Sequence, residues 1–139
     1  MKVKILIFNL IIKTVSIWLA ILVMAILNGG IRETFLIPIV GETYGLVASA
    51  IFLILIILLV SYFSIMWLGK HTQVTYILIG SCWFSLTVLF EFGFGYFILQ
   101  KPLDTLLSAY LFKGGNLWPI VLLVIAIAPI TVAKIRHLV

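Results

Sequence analysis

The chain alternates between four long apolar blocks and short polar segments that hold almost all of its charges. The blocks cover roughly residues 5–27, 45–68, 74–99 and 117–133. Each is close to or above the length of about 20 residues that a helix needs to cross a bilayer. Because backbone groups inside lipid must find partners within their own segment, the blocks predict transmembrane helices and not strands. The sequence therefore predicts an all-α fold, a four-transmembrane-helix bundle formed by a single domain over residues 1–139.

The polar segments predict how the four spans are connected. The segment 69–73 is tight, which makes the second and third spans an antiparallel hairpin. The first outer connection, 28–42, is longer than a simple turn. In the second outer connection apolar residues recur at i, i+3, i+4 and i+7, which predicts a short amphipathic helix lying on the outer interface. These residues are Leu103, Leu106, Leu107 and Tyr110.

Composition excludes a water-soluble domain. The chain is 65% hydrophobic and only 9% charged, whereas about a quarter of the residues in a soluble domain are charged. The net charge of +5 comes from short flanks beside the apolar blocks. Charges in such flanks normally control topology, so we expect membrane lipids as partners and no nucleic acid.

The distribution of basic residues predicts the orientation of the chain. Four spans place both termini and the second connection on one side. That side carries six basic residues: Lys2, Lys4, Lys13, Lys70, Lys134 and Arg136. The opposite side carries three basic and three acidic residues: Arg32, Lys101, Lys113, Glu33, Glu42 and Asp104. Because basic loops stay inside, both termini are predicted to be cytoplasmic.

Glu91 is the most informative residue because it lies within the third apolar block. An ionised carboxylate in hydrocarbon costs a few kcal/mol or more, so Glu91 must be protonated, paired, or facing a wet cavity. On a helical wheel it shares one face with Gly80, Phe84, Thr87 and Gly95. Such a small and polar stripe favours close approach of neighbouring helices.

Arg32 is the predicted partner of Glu91, because an arginine–carboxylate pair is well suited to a buried site. One interpretation is a structural clamp between the two residues. The other is a binding site, in which Glu91 takes a proton or a cation or Arg32 takes an anionic headgroup. Glu33 is an alternative contact for Arg32, which would leave Glu91 free. The predicted binding residues are Asn28, Arg32, Glu33, Thr87 and Glu91.

A secondary polar face on the first span carries Asn9, Lys13 and Ser16. The interpretation preferred for Lys13 is that its stem lies along the helix while the ammonium reaches the interface. The alternative is a substrate-binding ammonium. Glu91 lies farther toward the outer side, so no Lys13–Glu91 contact is expected.

Sequence patterns for catalysis, metal ligation or cofactor binding are not found. Cys82 has no cysteine or histidine partner, and His71 and His137 lie in the flanks. There is no H-E-x-x-H segment and no phosphate-binding glycine loop. Catalysis is therefore not expected, and no metal or cofactor is predicted.

Three segments, Asn28-Gly29-Gly30-Ile31-Arg32-Glu33, Phe90-Glu91-Phe92-Gly93-Phe94-Gly95 and Gly114-Gly115-Asn116-Leu117-Trp118, carry a resemblance. The chain resembles a group of small, uncharacterised four-helix bacterial integral membrane proteins with N-G-x-x-R-E and F-E-F-x-x-G segments. The resemblance implies a bacterial cytoplasmic membrane and one site shared by the Arg32 and Glu91 segments. It implies no reaction, cargo or cofactor.

Two functions remain open at this point. The first is a small transporter-like or lipid-contacting membrane protein with Arg32 and Glu91 at an outward polar site. In that hypothesis, changes in the protonation and ion pairing of Glu91 switch the site between closed and open states. The second is a non-catalytic membrane subunit or helix-interaction module in which the two residues are a clamp. Four short helices enclose little volume, which favours a homodimer or a larger membrane complex.

Overall fold

A computed structural model describes all 139 residues, and every regular element in it is helical. Four helical stretches are long and apolar enough to cross a membrane, by length and composition. The elements are α1 (Lys2–Ile31), a π-helical turn (Arg32–Leu36), α2 (Ile37–Val40), α3 (Glu42–Leu68), α4 (Gln73–Gly93), a second π-helical turn (Phe94–Ile98), α5 (Leu103–Ser108) and α6 (Trp118–Ile135). The all-α, four-helix architecture predicted from the apolar blocks is confirmed.

The first connection is shorter than predicted, because the helix does not end after residue 27. It continues from α1 through the π-helical turn and α2 to Val40, so that only Gly41 separates it from α3. A π-helical turn shifts the hydrogen-bond ladder by one residue and often marks a local distortion. Here it directly precedes Pro38, which has no backbone N–H and would clash in a regular ladder. Gly41 then reverses the chain at a φ of 90°, which glycine adopts readily.

The third span ends in a π-helical turn and a chain reversal. α4 changes to the second π-helical turn directly after Gly93. Gln100 has a φ of 52°, and the chain then folds back so that the backbone N–H of Lys101 donates to the Gly95 carbonyl at 2.9 Å. α5 follows and covers Gly95 with the side chain of Leu106. Of the four residues predicted to form the apolar face of this short helix, Leu103 and Leu107 are exposed.

The bundle is arranged with α6 between α3 and α4, while α1 packs mainly against α3. α4 and α6 approach most closely at Gly80, where an added Cβ would collide with the backbone carbonyl of Ala126. Small residues let helix backbones approach in this way, as the stripe on α4 predicts. Phe84, which shares that stripe, is instead exposed.

The register between α1 and α4 is fixed by two buried tryptophans. The indole of Trp83 donates to the Thr14 carbonyl at 2.9 Å, and the indole of Trp18 donates to Thr87 Oγ1 at 3.0 Å. Both pairs are 69 residues apart in the chain, so the two parallel helices keep one register. Burial of an indole N–H requires such a partner. The register matters for the site, because it places Glu91 beside the middle of α1.

Candidate functional site

A cavity of about 380 Å³ lies inside the bundle, in the half that contains Gly41 and the connection 99–117. All four long helices contribute to its wall, and most lining side chains are apolar, including Ile21, Leu53 and Val121. The polar lining side chains are Asn28, Arg32, Ser49, Thr87, Glu91, Lys101 and Asn116. Residues of one chain line this space.

Glu91 is held by two donors from outside its own helix. Its Oε2 accepts hydrogen bonds from the Tyr110 hydroxyl at 3.0 Å and from Trp118 Nε1 at 2.7 Å. Tyr110 follows α5 and is fixed by stacking on Phe92, with 5.6 Å between ring centroids. Oε1 accepts no hydrogen bond, and no salt bridge involves Glu91. One carboxylate oxygen is thus occupied, and the other is available to a ligand.

Trp118 is positioned by Asn116, directly before α6 begins. The Asn116 side-chain oxygen accepts from the Trp118 backbone N–H at 3.2 Å, while the N-cap residue of α6 is Leu117. The same side chain donates to the carbonyls of Ala109 and Leu111. Asn116 therefore ties the end of α5 to the start of α6, and both donors to Glu91 are set by one short segment.

Arg32 does not pair with Glu91. Its Nε donates to Glu33 Oε1 at 3.1 Å, in the one salt bridge of the structure. The α1–α4 register explains the separation: Glu91 lies level with Leu22, ten residues before Arg32, or about 15 Å along the helix. The predicted ion pair is therefore absent, and the alternative contact with Glu33 is the one formed.

Four of the five predicted binding residues nevertheless line the same cavity: Asn28, Arg32, Thr87 and Glu91. Asn28 is buried, and its amide donates to the carbonyl and the hydroxyl of Ser49 at 3.2 and 2.9 Å. Thr87 donates to the Trp83 carbonyl while accepting from Trp18. Glu33 does not line the cavity, and its role is to neutralise Arg32.

Sequence reasoning did not single out Lys101 as a site residue. Its backbone N–H donates to the Gly95 carbonyl, which places the Lys101 backbone more than one helical turn above Glu91. The Gln100-Lys101-Pro102 sequence signals a chain reversal, but not the direction in which the chain returns. Tyr110 lies on the apolar face of the predicted outer helix and Trp118 near the start of the fourth span, and neither position predicts a hydrogen bond to Glu91.

A second cavity of about 210 Å³ lies on the other side of Glu91, beneath α5. It is rich in aromatic side chains, with Phe90, Phe92, Phe94 and Tyr110 in its wall. Glu91 and Lys101 line both cavities, as do Phe90 and Ala109. Glu91 and Lys101 therefore lie at the boundary between the two cavities.

The secondary polar face lies apart from this site. Lys13 Nζ donates to the Trp67 carbonyl at 2.9 Å, and the Ser16 hydroxyl donates to the Ile12 carbonyl of its own helix. Lys13 also lies 5.5 Å from the centre of the Trp67 ring. Asn9 is exposed. The Lys13 ammonium therefore reaches the end of α3.

The Tyr110 hydroxyl stays protonated as a donor. Burial raises the pKa of Tyr110 above its ordinary value, and the Glu91 carboxylate raises it further. A hydroxyl that keeps its proton is a permanent donor to a carboxylate. The site therefore offers a held carboxylate at Glu91, the two cationic side chains of Arg32 and Lys101, and an apolar wall. This arrangement is suited to ligand binding.

No protein-family model, curated protein or solved structure matches this chain. The resemblance described above remains a prediction, and the function is inferred from the geometry of the cavities.

Proposed function

We propose that the chain is a small multi-pass membrane protein that binds an amphipathic molecule of the lipid class, as a transporter-like or lipid-contacting protein. The observation that carries the proposal is the composition of the larger cavity. Its wall is mostly apolar, and its charged side chains are confined to Arg32, Lys101 and Glu91. Binding cavities usually combine an apolar wall with a few placed polar groups.

Access from lipid is part of the proposal. Ile26 lines the cavity, yet 56% of its surface is exposed, so the cavity reaches the outer face of α1. α1 packs mainly on α3, and its side-chain hydrogen bonds to α4 lie at Thr14 and Trp18, deeper than Glu91. An acyl chain entering between α1 and α4 would meet few polar groups.

The orientation proposed from the basic residues places both termini in the cytoplasm and the cavity toward the outer leaflet. In this orientation α5 lies at the outer interface, above the second cavity. The ligand headgroup would then lie near Arg32 and Lys101, and its apolar part would extend toward Ile21 and Leu53.

Glu91 is proposed as the switch of the site. An ionised carboxylate accepts stronger hydrogen bonds from Tyr110 and Trp118 than a neutral one does. A negative charge on Glu91 therefore holds the connection 99–117 closed against the bundle. The charged groups that bear on it are Arg32, Lys101 and the Tyr110 hydroxyl. Protonation, or pairing of Glu91 with a ligand cation, would weaken these contacts and favour opening.

A second candidate, an interaction module without a ligand, is favoured by the same two hydrogen bonds. They fasten the connection 99–117 to α4 and α6, as a purely structural contact would. In this case Glu91 only orients helices that present a surface to another membrane protein.

The effect of added lipid on thermal stability distinguishes the two candidate functions. The purified protein is to be titrated with diacyl lipids while its thermal midpoint is recorded, for wild type, Glu91→Gln, Arg32→Ala and Lys101→Met. If the cavity binds lipid, wild type is stabilised in proportion to ln(1 + [L]/Kd) and the variants respond less. Lys113→Met is the control, because Lys113 lines neither cavity. Equal lipid responses in all variants would support the interaction module.

A further inference from the structure

The two cavities share an acid and a base that are not paired with each other. Glu91 and Lys101 line both spaces, and no salt bridge joins them. Arg32 lines the larger cavity, but Glu33 already matches its charge at 3.1 Å. The charged groups at the boundary that lack a direct ion-pair partner are therefore one carboxylate and one ammonium.

We infer that the site recognises a zwitterionic headgroup, which carries a phosphate or carboxylate and an ammonium a short distance apart. This deepens the proposed function by naming the class of ligand, and it rests on that function. The ligand ammonium pairs with Glu91 Oε1, and the ligand anion pairs with Lys101. Complementary placement of opposite charges fixes the register of a ligand and rejects the wrong one.

The held Glu91 carboxylate and the fixed backbone of Lys101 support this assignment. Tyr110 and Trp118 hold Oε2 at 3.0 and 2.7 Å, which leaves Oε1 as an oriented acceptor. The turn of Lys101 onto Gly95 places its backbone more than one helical turn beyond Glu91, and the residue lines the same two cavities. A purely anionic headgroup would leave Glu91 without a counter-charge and facing a like charge. A purely cationic headgroup would leave Lys101 without a counter-charge and facing a like charge.

The aromatic cavity supports the position of the ammonium. Phe90, Phe92 and Tyr110 stand around Glu91 on the side beneath α5. Aromatic faces attract ammonium groups, and quaternary ammonium ligands are often bound in this way. A methylated ammonium is therefore accepted as well as a primary one, so the charge pattern decides selectivity more strongly than the number of methyl groups.

The test is a competition between diacyl lipids with identical oleoyl chains and different headgroups, read by native mass spectrometry of the detergent-purified protein. The probes are phosphatidylethanolamine as the zwitterion, phosphatidylglycerol as the anion and a dioleoyl trimethylammonium lipid as the cation. Wild type is expected to retain the zwitterion about tenfold over either singly charged lipid, since one charge-assisted contact is lost with each. Soluble glycerophosphoethanolamine, whose phosphodiester carries the same single negative charge, is tested in parallel. Retention equal to that of the lipid would support the charge pattern and identify a soluble zwitterion as its source.

Two variants must change the preference in opposite directions. Glu91→Gln, which keeps an acceptor for Tyr110 and Trp118, is expected to shift retention toward the anionic lipid. Lys101→Met, at an exposed position, is expected to shift it toward the cationic lipid. Glu42→Gln and Lys113→Met are the matched controls, because neither residue lines either of these two cavities.

The outcomes separate this inference from the proposed function. If wild type prefers the anionic lipid, or if both variants shift in the same direction, the zwitterion assignment is overturned while lipid binding stands. If none of the lipids is retained above the level found in an empty micelle, the zwitterion assignment and the proposed function are both overturned. Opposite shifts in the two variants support both.

Discussion

Individual side chains decide which contact Glu91 makes. Arg32 was the partner expected from charge alone, yet two uncharged donors occupy the carboxylate. Sequence reasoning correctly required that an acid in the bundle be satisfied. It did not predict which residues satisfy it, because Tyr110 and Trp118 reach Glu91 through a chain reversal that no local pattern encodes.

A double-mutant cycle tests this assignment of partners. Trp118→Phe removes the 2.7 Å donor to Glu91 and is expected to cost about 1–3 kcal/mol of stability. Its effect should be coupled to that of Glu91→Gln, because the residues are in contact. Arg32→Ala and Glu91→Gln should instead add within about 0.5 kcal/mol, since no atom pair joins them. Thermal or denaturant unfolding of the six proteins measures both cycles. Strong Arg32–Glu91 coupling in the absence of lipid would restore the clamp.

The buried hydroxyl of Tyr110 predicts a dependence of stability on alkaline pH. Its pKa is raised from 10.0 by burial, and the Glu91 carboxylate adds to the rise. An unfolded chain loses this proton near pH 10 while the folded chain keeps it. The contribution is therefore fully present below pH 10 and is lost as pH rises through the higher folded pKa.

The measurement is the thermal midpoint from about pH 9 to about pH 11, a range that brackets the ordinary tyrosine pKa. Wild type should lose more stability across this range than Tyr110→Phe. Tyr44→Phe, at a residue with 74% exposure, should follow the wild-type curve. Parallel curves for wild type and Tyr110→Phe would show that Tyr110 keeps its ordinary pKa.

At the scale of helices, the four apolar blocks predicted the number of long helices correctly, but they did not predict where each helix ends. The blocks gave four spans, and each corresponds to one long helix. The end of the first span was misplaced because Gly29, Gly30 and Pro38 resemble a connection in sequence. The helix accommodates them with a π-helical turn, which depends on packing and not on propensity. The position of α5 above the second cavity was likewise set by the reversal at Gln100.

The contact between α4 and α6 predicts a large difference between two glycine substitutions. At Gly80 an added methyl group meets the Ala126 backbone, which cannot move aside as a side chain can. Gly80→Ala should therefore cost about 1–3 kcal/mol or more through overpacking. Gly93→Ala is the matched control, because its Cβ would meet nothing within 4 Å, and alanine favours a helix by up to about 1 kcal/mol. Unfolding in detergent measures both, and equal effects would place α6 farther from Gly80 than described.

At the scale of the whole molecule, the surface is suited to lipid. Many large apolar side chains on α1 and α3 are exposed, including Phe8 at 62% and Phe63 at 73%. A water-soluble protein rarely leaves extended apolar patches uncovered. The charged residues lie mainly at the two ends of the bundle, and the difference between those ends predicts which one faces the cytoplasm.

Impermeant thiol labelling in intact bacterial cells tests that orientation. Cys82 is the single cysteine, so a Cys82→Ser background carries no competing thiol. Six basic residues lie at the end with both termini and three lie at the end with the cavities, which predicts that Lys113→Cys is labelled from outside. Lys70→Cys, in the connection between α3 and α4, should be labelled only after the membrane is permeabilised. The reverse pattern would turn the Glu91–Lys101 site toward the cytoplasm. Its ligand would then have to come from the inner leaflet or from soluble zwitterions of the cell interior, while the charge pattern that selects it would be unchanged.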